Sequence, residues 1–327
     1  MSVVSLSAVG RVLHTLLFLI ALAASTAWIA TALSVHMSGL SRVAALGALG
    51  LSAITASVAL WISKTRGWAI LLTVLAVSIG WYQTLQPRQD RNWAFDVAHG
   101  VQARVDGEFA HLTQVRNFEW TSPDTANVSW EARTYDLEKL TSADLVTSVW
   151  DNPDVAHVIV TFGFSDGQRV AFSVETRREA HESYSVVGGF FRQFELVLIA
   201  ATEEDVLKLR TNHRQEDVRL YPLALNTQQL RDLFLSYVDL ANHLQDQPEF
   251  YNTLTHNCTT TLYPLAQVVQ PDLPLDWRIL MSGHLASYVD ELGGLAGGQK
   301  QAQITTMAQA ATRSNYSAMI RRAETRH

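Results

Sequence analysis

The stretch "HVIVTFGFSDGQRVAFSVE", His157 to Glu175, decides the fold. Two runs rich in β-branched and aromatic residues flank Ser165-Asp166-Gly167, residue types that turn a chain tightly, so the segment predicts a β-hairpin. Apolarity alternates along both runs. Val158, Val160 and Phe162 share one face, and Val170, Phe172 and Val174 supply its counterpart. The opposite faces carry His157, Thr161, Ser173 and Glu175. Pairing Thr161 with Ser173 would set Glu175 and Arg177 beside His157, whereas a one-residue slip would send them to the other side. Two readings stay open for this second face: a solvent-exposed sheet surface, or a platform that holds an imidazole next to a carboxylate.

The flanking sequence extends the sheet. "VRNFEW" (Val115–Trp120), "LVTSVW" (Leu145–Trp150), "ELVLIAA" (Glu195–Ala201) and "DVRLYPLAL" (Asp217–Leu225) have strand composition. A helix follows. Asn226 predicts its cap, Gln229 stands three residues on in a capping-box spacing, and Leu230, Leu233, Phe234, Tyr237, Ala241 and Leu244 recur at three and four. Strands interleaved with helices in this way predict an α+β domain over residues 92–297. Residues 298–327 read as a polar, Ala-rich tail with no visible chemistry.

The N-terminal third has a different texture. Residues 12–35, 43–63 and 68–85 are three long runs free of Asp, Glu, Lys and Arg, each about as long as a helix that crosses a bilayer. Trp61, Trp68, Trp81 and Tyr82 lie near run ends, where aromatic side chains suit the headgroup layer. A cleaved signal peptide would account for the first run only. Residues 1–91 therefore read as a membrane anchor of three transmembrane helices. Arg11, Lys64 and Arg66 put the N-terminus and the second connection in the cytoplasm. Three crossings then deliver everything after residue 91 to the far side, the periplasm of a bacterial inner-membrane protein. The formal charge of −6 offers no basic footprint for nucleic acid, and no cofactor or metal motif stands out.

A single cysteine, Cys258, occurs in "YNTLTHNCTTTLYPLA" (Tyr251–Ala266), so no disulfide can form within the chain. It is a small buried hydrophobe, an intermolecular link, or a reactive thiol. Asn257 reads as an N-cap that would make Cys258 the first residue of a helix. There the helix dipole favours thiolate, and the Cys258 N–H can face an oxyanion. Pro264, about two turns in, should kink or end that helix. Among the eleven histidines, His157 is the candidate base and Glu175 its orienting carboxylate. Asn257, Ser173 and Tyr251 are weaker candidates for substrate or oxyanion contacts.

Several stretches carry a resemblance: "ARTYDLEKL" (Ala132–Leu140), "AHVIVTFGFSDGQRVAFSVETRRE" (Ala156–Glu179), "SYSVVGGFFRQFELV" (Ser183–Val197) and "YNTLTHNCTTTL" (Tyr251–Leu262). Together, from about Val115 to Leu295, they resemble the DUF4105 family, named for the periplasmic N-terminal domain of Lnb, a bacterial lipoprotein N-acyltransferase. His256 departs from the pattern, standing where a small polar residue is expected. The resemblance implies a circularly permuted papain-like domain of the NlpC/P60 and lecithin:retinol acyltransferase-like type, in which a strand histidine precedes the cysteine. It implies Cys258 as nucleophile and His157 as base. The expected function is then acyl transfer through an acyl-thioester, with membrane phospholipid and a lipoprotein or peptide as substrates. A thiol peptidase or amidase, or a non-catalytic envelope binding protein, are the alternatives.

Overall fold

A computed structural model describes residues 6–296 and 302–321. The part of the tail at 297–301 and 322–327 lies outside the described residues. The chain divides into two compact units, one made of the residues up to Pro87 with Val187–Gln193, the other of the remainder.

The first unit contains α1 (Leu6–His36), α2 (Gly39–Ile62) and α3 (Lys64–Gln83), all three long and apolar enough to cross a membrane. Their connections are shorter than the sequence runs imply. Ser63 alone, in extended conformation, ends α2 and begins α3. Gly67 is what allows so tight a reversal: a Cβ there would lie 2.9 Å from Leu60 Cα, so only glycine lets the two helices meet. Phe18 and Trp68 pack edge to face, ring centres 5.3 Å apart. Leu17, Ile20, Leu51, Ile54 and Trp61 are exposed, as helix faces turned to lipid would be.

The second unit is a three-layer α/β/α arrangement. Its strands are β1 (Gln102–Asp106), β2 (Phe109–Arg116), β3 (Glu119–Ser122), β4 (Thr125–Asn127), β5 (Trp130–Asp136), β6 (Leu140–Val149), β7 (His157–Phe164) and β8 (Arg169–Arg177). After α4 (Val186–Phe190), which falls almost wholly in the first unit, come β9 (Glu195–Ala201), α5 (Glu203–Lys208), β10 (Asp217–Pro222), α6 (Thr227–Asp246), α7 (Leu262–Val269) and α8 (Leu285–Glu291). Then follow β11 (Ala302–Gln303), α9 (Thr305–Gln309) and α10 (Tyr316–Met319). The main sheet runs β1-β2-β9-β8-β7-β6-β10-β11, with β5 also on β2. Its named pairs are antiparallel except β2 with β9.

Alternation along β7 and β8 separates two cores. Val158, Val160, Phe162, Phe172 and Val174 join Leu230, Phe234, Tyr237 and Ala241 of α6, where Phe172 stacks on Tyr237 at 4.9 Å. The Asn226–Gln229 capping box that starts α6 is formed in both directions. On the opposite face, Ile159 and Ala171 pack with Val206, Ile304, Ala308, Tyr316 and Ile320. The segment that reads as a featureless polar tail thus completes the second core. Arg321 anchors it, donating to Asp144 Oδ2 and Glu203 Oε1 at 2.6 Å each.

The hairpin register differs from the expected one by two residues. Thr161 pairs with Ala171 and Ile159 with Ser173; the turn is tighter than the expected pairing needs, Phe164 N–H closing Ser165–Gly167 onto the Gln168 carbonyl at 3.0 Å. A two-residue shift preserves side-chain faces, so the polar set stays together, but buried under α5 and the tail rather than exposed. "VRNFEW" is also broken. Buried Asp205 accepts from Arg116 Nε, Phe118 N and Trp120 Nε1, and this draws the chain out of β2 before β3 begins.

Candidate active site

His157 opens β7, opposite Ser148 of β6. The β7–β8 ladder ends at Ile159–Ser173, so the first residues of β7 have no β8 partner in the ladder. The turn carrying Cys258 comes in here. Its Sγ lies 3.9 Å from the Ala156 carbonyl, near enough to the Val158 N–H and the His157 ring for both to favour its charged form. The segment before His157 is held from behind. Ala156 N donates to Ser282 Oγ at 2.9 Å, and Gly283 N donates to the Asp154 carbonyl at 3.0 Å. Gly283 sits so close that a Cβ would fall 1.9 Å from the Pro153 carbonyl oxygen.

On its other side His157 meets the acid. Nε2 lies 2.6 Å from Ser173 Oγ and 3.1 Å from Glu175 Oε1, and the Ser173 hydroxyl donates to the same Oε1 at 2.7 Å. With Nε2 committed to the acid, Nδ1 is the nitrogen available to the thiol. Arg210 extends the array, reaching Glu175 Oε1 at 3.4 Å and Glu216 Oε2 at 3.2 Å. Glu216 also accepts from the Ser148 hydroxyl.

The charges are mutually supporting. Burial works against the His157 imidazolium, but the Glu175 carboxylate outweighs it and raises the pKa above the ordinary histidine value. Burial would raise Glu175, yet His157, Arg210 and the Ser173 hydroxyl hold it well below the usual carboxylate range. Burial would likewise raise Cys258. The hydrogen bond and charge of His157, with the Val158 N–H, bring it below the ordinary thiol value. A thiolate–imidazolium pair is the state this arrangement favours.

The helix start is not where the sequence reading puts it. Cys258 lies in a turn, and α7 begins four residues later at Leu262. Pro264 is the reason: it has no N–H to give Thr260 and its ring would collide with that carbonyl, so a regular helix cannot run through both. In the first turn of α7 it is harmless. Asn257 still caps the turn, its Oδ1 accepting from Thr259 N and Thr260 N at 3.0 Å each. Its Nδ2 donates to the Thr253 carbonyl at 2.9 Å. Asn257 therefore shapes the turn rather than offering itself to substrate. Ser173 is buried behind the imidazole and bridges it to Glu175, which corrects its reading as a substrate contact. Tyr251 does line the cleft before Cys258, its ring edge to face with that of Tyr184 at 6.5 Å. Arg177 is turned away, its guanidinium bonded to the Val97 and Ala98 carbonyls. His256 is bridged to Asn252 instead of the thiol.

Arg210 is the member that sequence reasoning missed. It lies in a widened π-type turn, Leu209–His213, at the end of α5, a local irregularity that often marks functional positions. In the mixed stretch "VLKLRTNH" (Val206–His213) nothing sets Arg210 apart from Lys208 or His213. The cleft in front of Cys258 encloses about 810 Å³. Arg210, His213 and Arg214 line one part, and Trp150, Val155 and Leu280 another.

Fold and site together define a class: an α+β protein with three N-terminal helices able to cross a membrane and a thiol–imidazole–carboxylate array where the central strands of its sheet begin and end. Residues 126–283 match the model of a family described as the Lnb N-terminal periplasmic domain. That match supports placing the segment in the Lnb N-terminal family and points to a periplasmic, membrane-associated protein. No curated protein and no solved structure matches the chain.

Proposed function

We propose that the chain is a membrane-anchored cysteine acyltransferase with its N-terminus in the cytoplasm and its second unit in the periplasm. The observation that carries this reading is the continuous array Cys258–His157–Ser173–Glu175, poised toward thiolate and opening on a cleft with an apolar wall. The order of its members, strand histidine before cysteine, is that of a permuted papain-like domain.

In the first half-reaction His157 holds the thiol proton as imidazolium and the Sγ thiolate attacks an ester carbonyl carbon. The Cys258 N–H, which lies outside the Asn257 cap, supports the oxyanion. Collapse breaks the ester C–O bond, His157 returns the proton to the departing alcohol, and an acyl-thioester remains. An amine then attacks, gives its proton to His157, and expels the thiolate as an amide. Following the family resemblance, the donor is a phospholipid and the acceptor the α-amine of a lipidated N-terminal cysteine. Membrane anchoring would raise the effective concentration of such partners.

The test is trapping. Protein incubated with acyl-labelled phospholipid should acquire hydroxylamine-sensitive label on Cys258, absent in Cys258→Ser and slow in His157→Ala. A diacylated lipopeptide with a free α-amine should discharge it. Label lost only to water would make the chain a hydrolase. Cleavage of envelope peptides without any label would establish the thiol peptidase, a reading favoured by the Arg210–His213–Arg214 wall. Absence of both label and cleavage would leave a binding protein.

A further inference from the structure

A second hollow of about 160 Å³ lies beside the turn that carries Cys258. Val158 and Val160 of β7, Tyr237 of α6 and Ala266 and Val269 of α7 form much of its wall. The polar groups at its margin are already used. Tyr263 and Tyr288 donate their hydroxyls to the Leu273 and Pro274 carbonyls at 2.6 and 2.5 Å, and Thr259 Oγ1 is bonded to Asn257 Oδ1 at 2.9 Å. Apart from the Gln270 amide, what remains facing the space is hydrocarbon. The hollow is open on one side, and its size suits hydrocarbon: an apolar cavity of about 150 Å³ accepts a benzene-sized guest.

The hollow is continuous with the thiol site in its walls. Thr259 lines both it and the cleft, and Cys258 packs against the core cluster that surrounds it. Ile279 lines the hollow and its neighbour Leu280 the cleft, on a loop whose Leu275 and Trp277 are 82% and 59% exposed.

We infer that this hollow is the acyl-chain site of Cys258. It takes the first carbons of a hydrocarbon chain, about six by comparison with the benzene-sized cavity, while the carbonyl end meets the sulfur. The inference rests on the acyl-transfer reading and sharpens it: the donor carries a medium or long alkyl chain, not an acetyl group or a peptide side chain.

The test uses the full chain in lipid nanodiscs and does not require turnover. Cys258, the only thiol, is alkylated with N-alkyl iodoacetamides from methyl to octyl. The rate should rise about fourfold per methylene, the gain expected for burying a CH₂, and level off near about six carbons. Ala266→Leu should end the rise earlier. Ala266→Phe should abolish it while keeping the methyl rate, and should the bulkier variant lose even that rate, Ala266→Leu decides. All variants share one bilayer, so reagent partitioning cancels between them. A flat profile in the wild type, or the same profile in wild type and both variants, overturns the inference. Length dependence that persists while labelled phospholipid leaves no thioester upholds the chain site and removes acyl transfer instead.

Discussion

Glu175→Gln isolates the electrostatic core of the site, because it keeps the shape of the side chain and removes only its charge. In the wild type the carboxylate lies 3.1 Å from His157 Nε2. At an effective dielectric constant of about 20, Coulomb's law puts the attraction for an imidazolium at about 5 kcal/mol. The amide keeps a hydrogen bond worth about 1 kcal/mol, and partial exposure of Glu175 screens more of the charge. A net loss of about 2 kcal/mol is a factor of about thirty. The sign follows from the remaining forces: burial and Arg210 both depress the imidazolium, so His157 turns neutral and Cys258 loses its cation. Iodoacetamide alkylation against pH reads this directly, since no other thiol competes. Wild-type protein should react well below the ordinary thiol range near about 8.5. Glu175→Gln should react about thirtyfold more slowly at neutral pH and recover as pH rises. Profiles that superimpose would refute the claim that the carboxylate holds the imidazolium and the thiolate in place.

Gly283→Ala forces a Cβ onto the Pro153 carbonyl and should shift the segment that carries Ala156 and His157. Such overpacking costs about 2 kcal/mol, read as a fall in Tm and a loss of Cys258 reactivity at neutral pH. Arg321→Ala should destabilise by about 3 kcal/mol at neutral pH, because it strips a partner from buried Glu203 and Asp144; Arg169, at 4.0 and 3.5 Å from them, tempers the loss. In the wild type burial would raise Glu203, but Arg321 holds it below the usual carboxylate value. Its stability contribution is thus present above the unfolded carboxylate pKa and lost as pH falls through the lower folded value. In Arg321→Ala burial prevails, the folded pKa rises, and chemical denaturation should show the deficit shrinking on acidification toward about pH 4. For topology, a reporter active only outside the cytoplasm should work when fused after Arg91 and stay silent at Thr65; the reverse would exclude a periplasmic second unit.

What the sequence made legible follows from what repeats with a short period. The face shared by His157, Ser173 and Glu175 could be read even with the register displaced by two, because a strand repeats every two residues and an even slip leaves faces intact. The stripe on α6 was equally plain, since its period of three and four extends over five turns. Features set by a single residue's backbone chemistry were harder. Asn257 was correctly seen as a cap, yet the helix start moved to Leu262 because Pro264 forbids a bond to Thr260, a constraint acting backward along the chain. Arg210 was invisible because its role is fixed by partners 35 and 6 residues away, in a turn wider than an α-helix. The tail reads as helical or frayed and helices do form in it, but its packing against the core was hidden for another reason. Its buried residues Ile304, Ala308, Tyr316 and Ile320 fall in two pairs four apart, a true helical signal, but one diluted by alanines and polar residues below what composition registers. The same dilution hides its charge: Arg321 neutralises two carboxylates on the face opposite α6. The candidate array stands on that face too, through Ser173 and Glu175. The last turn of the described chain and the candidate base are therefore supported by one buried layer, and a loss of tail docking should be felt at Cys258 before the fold itself gives way.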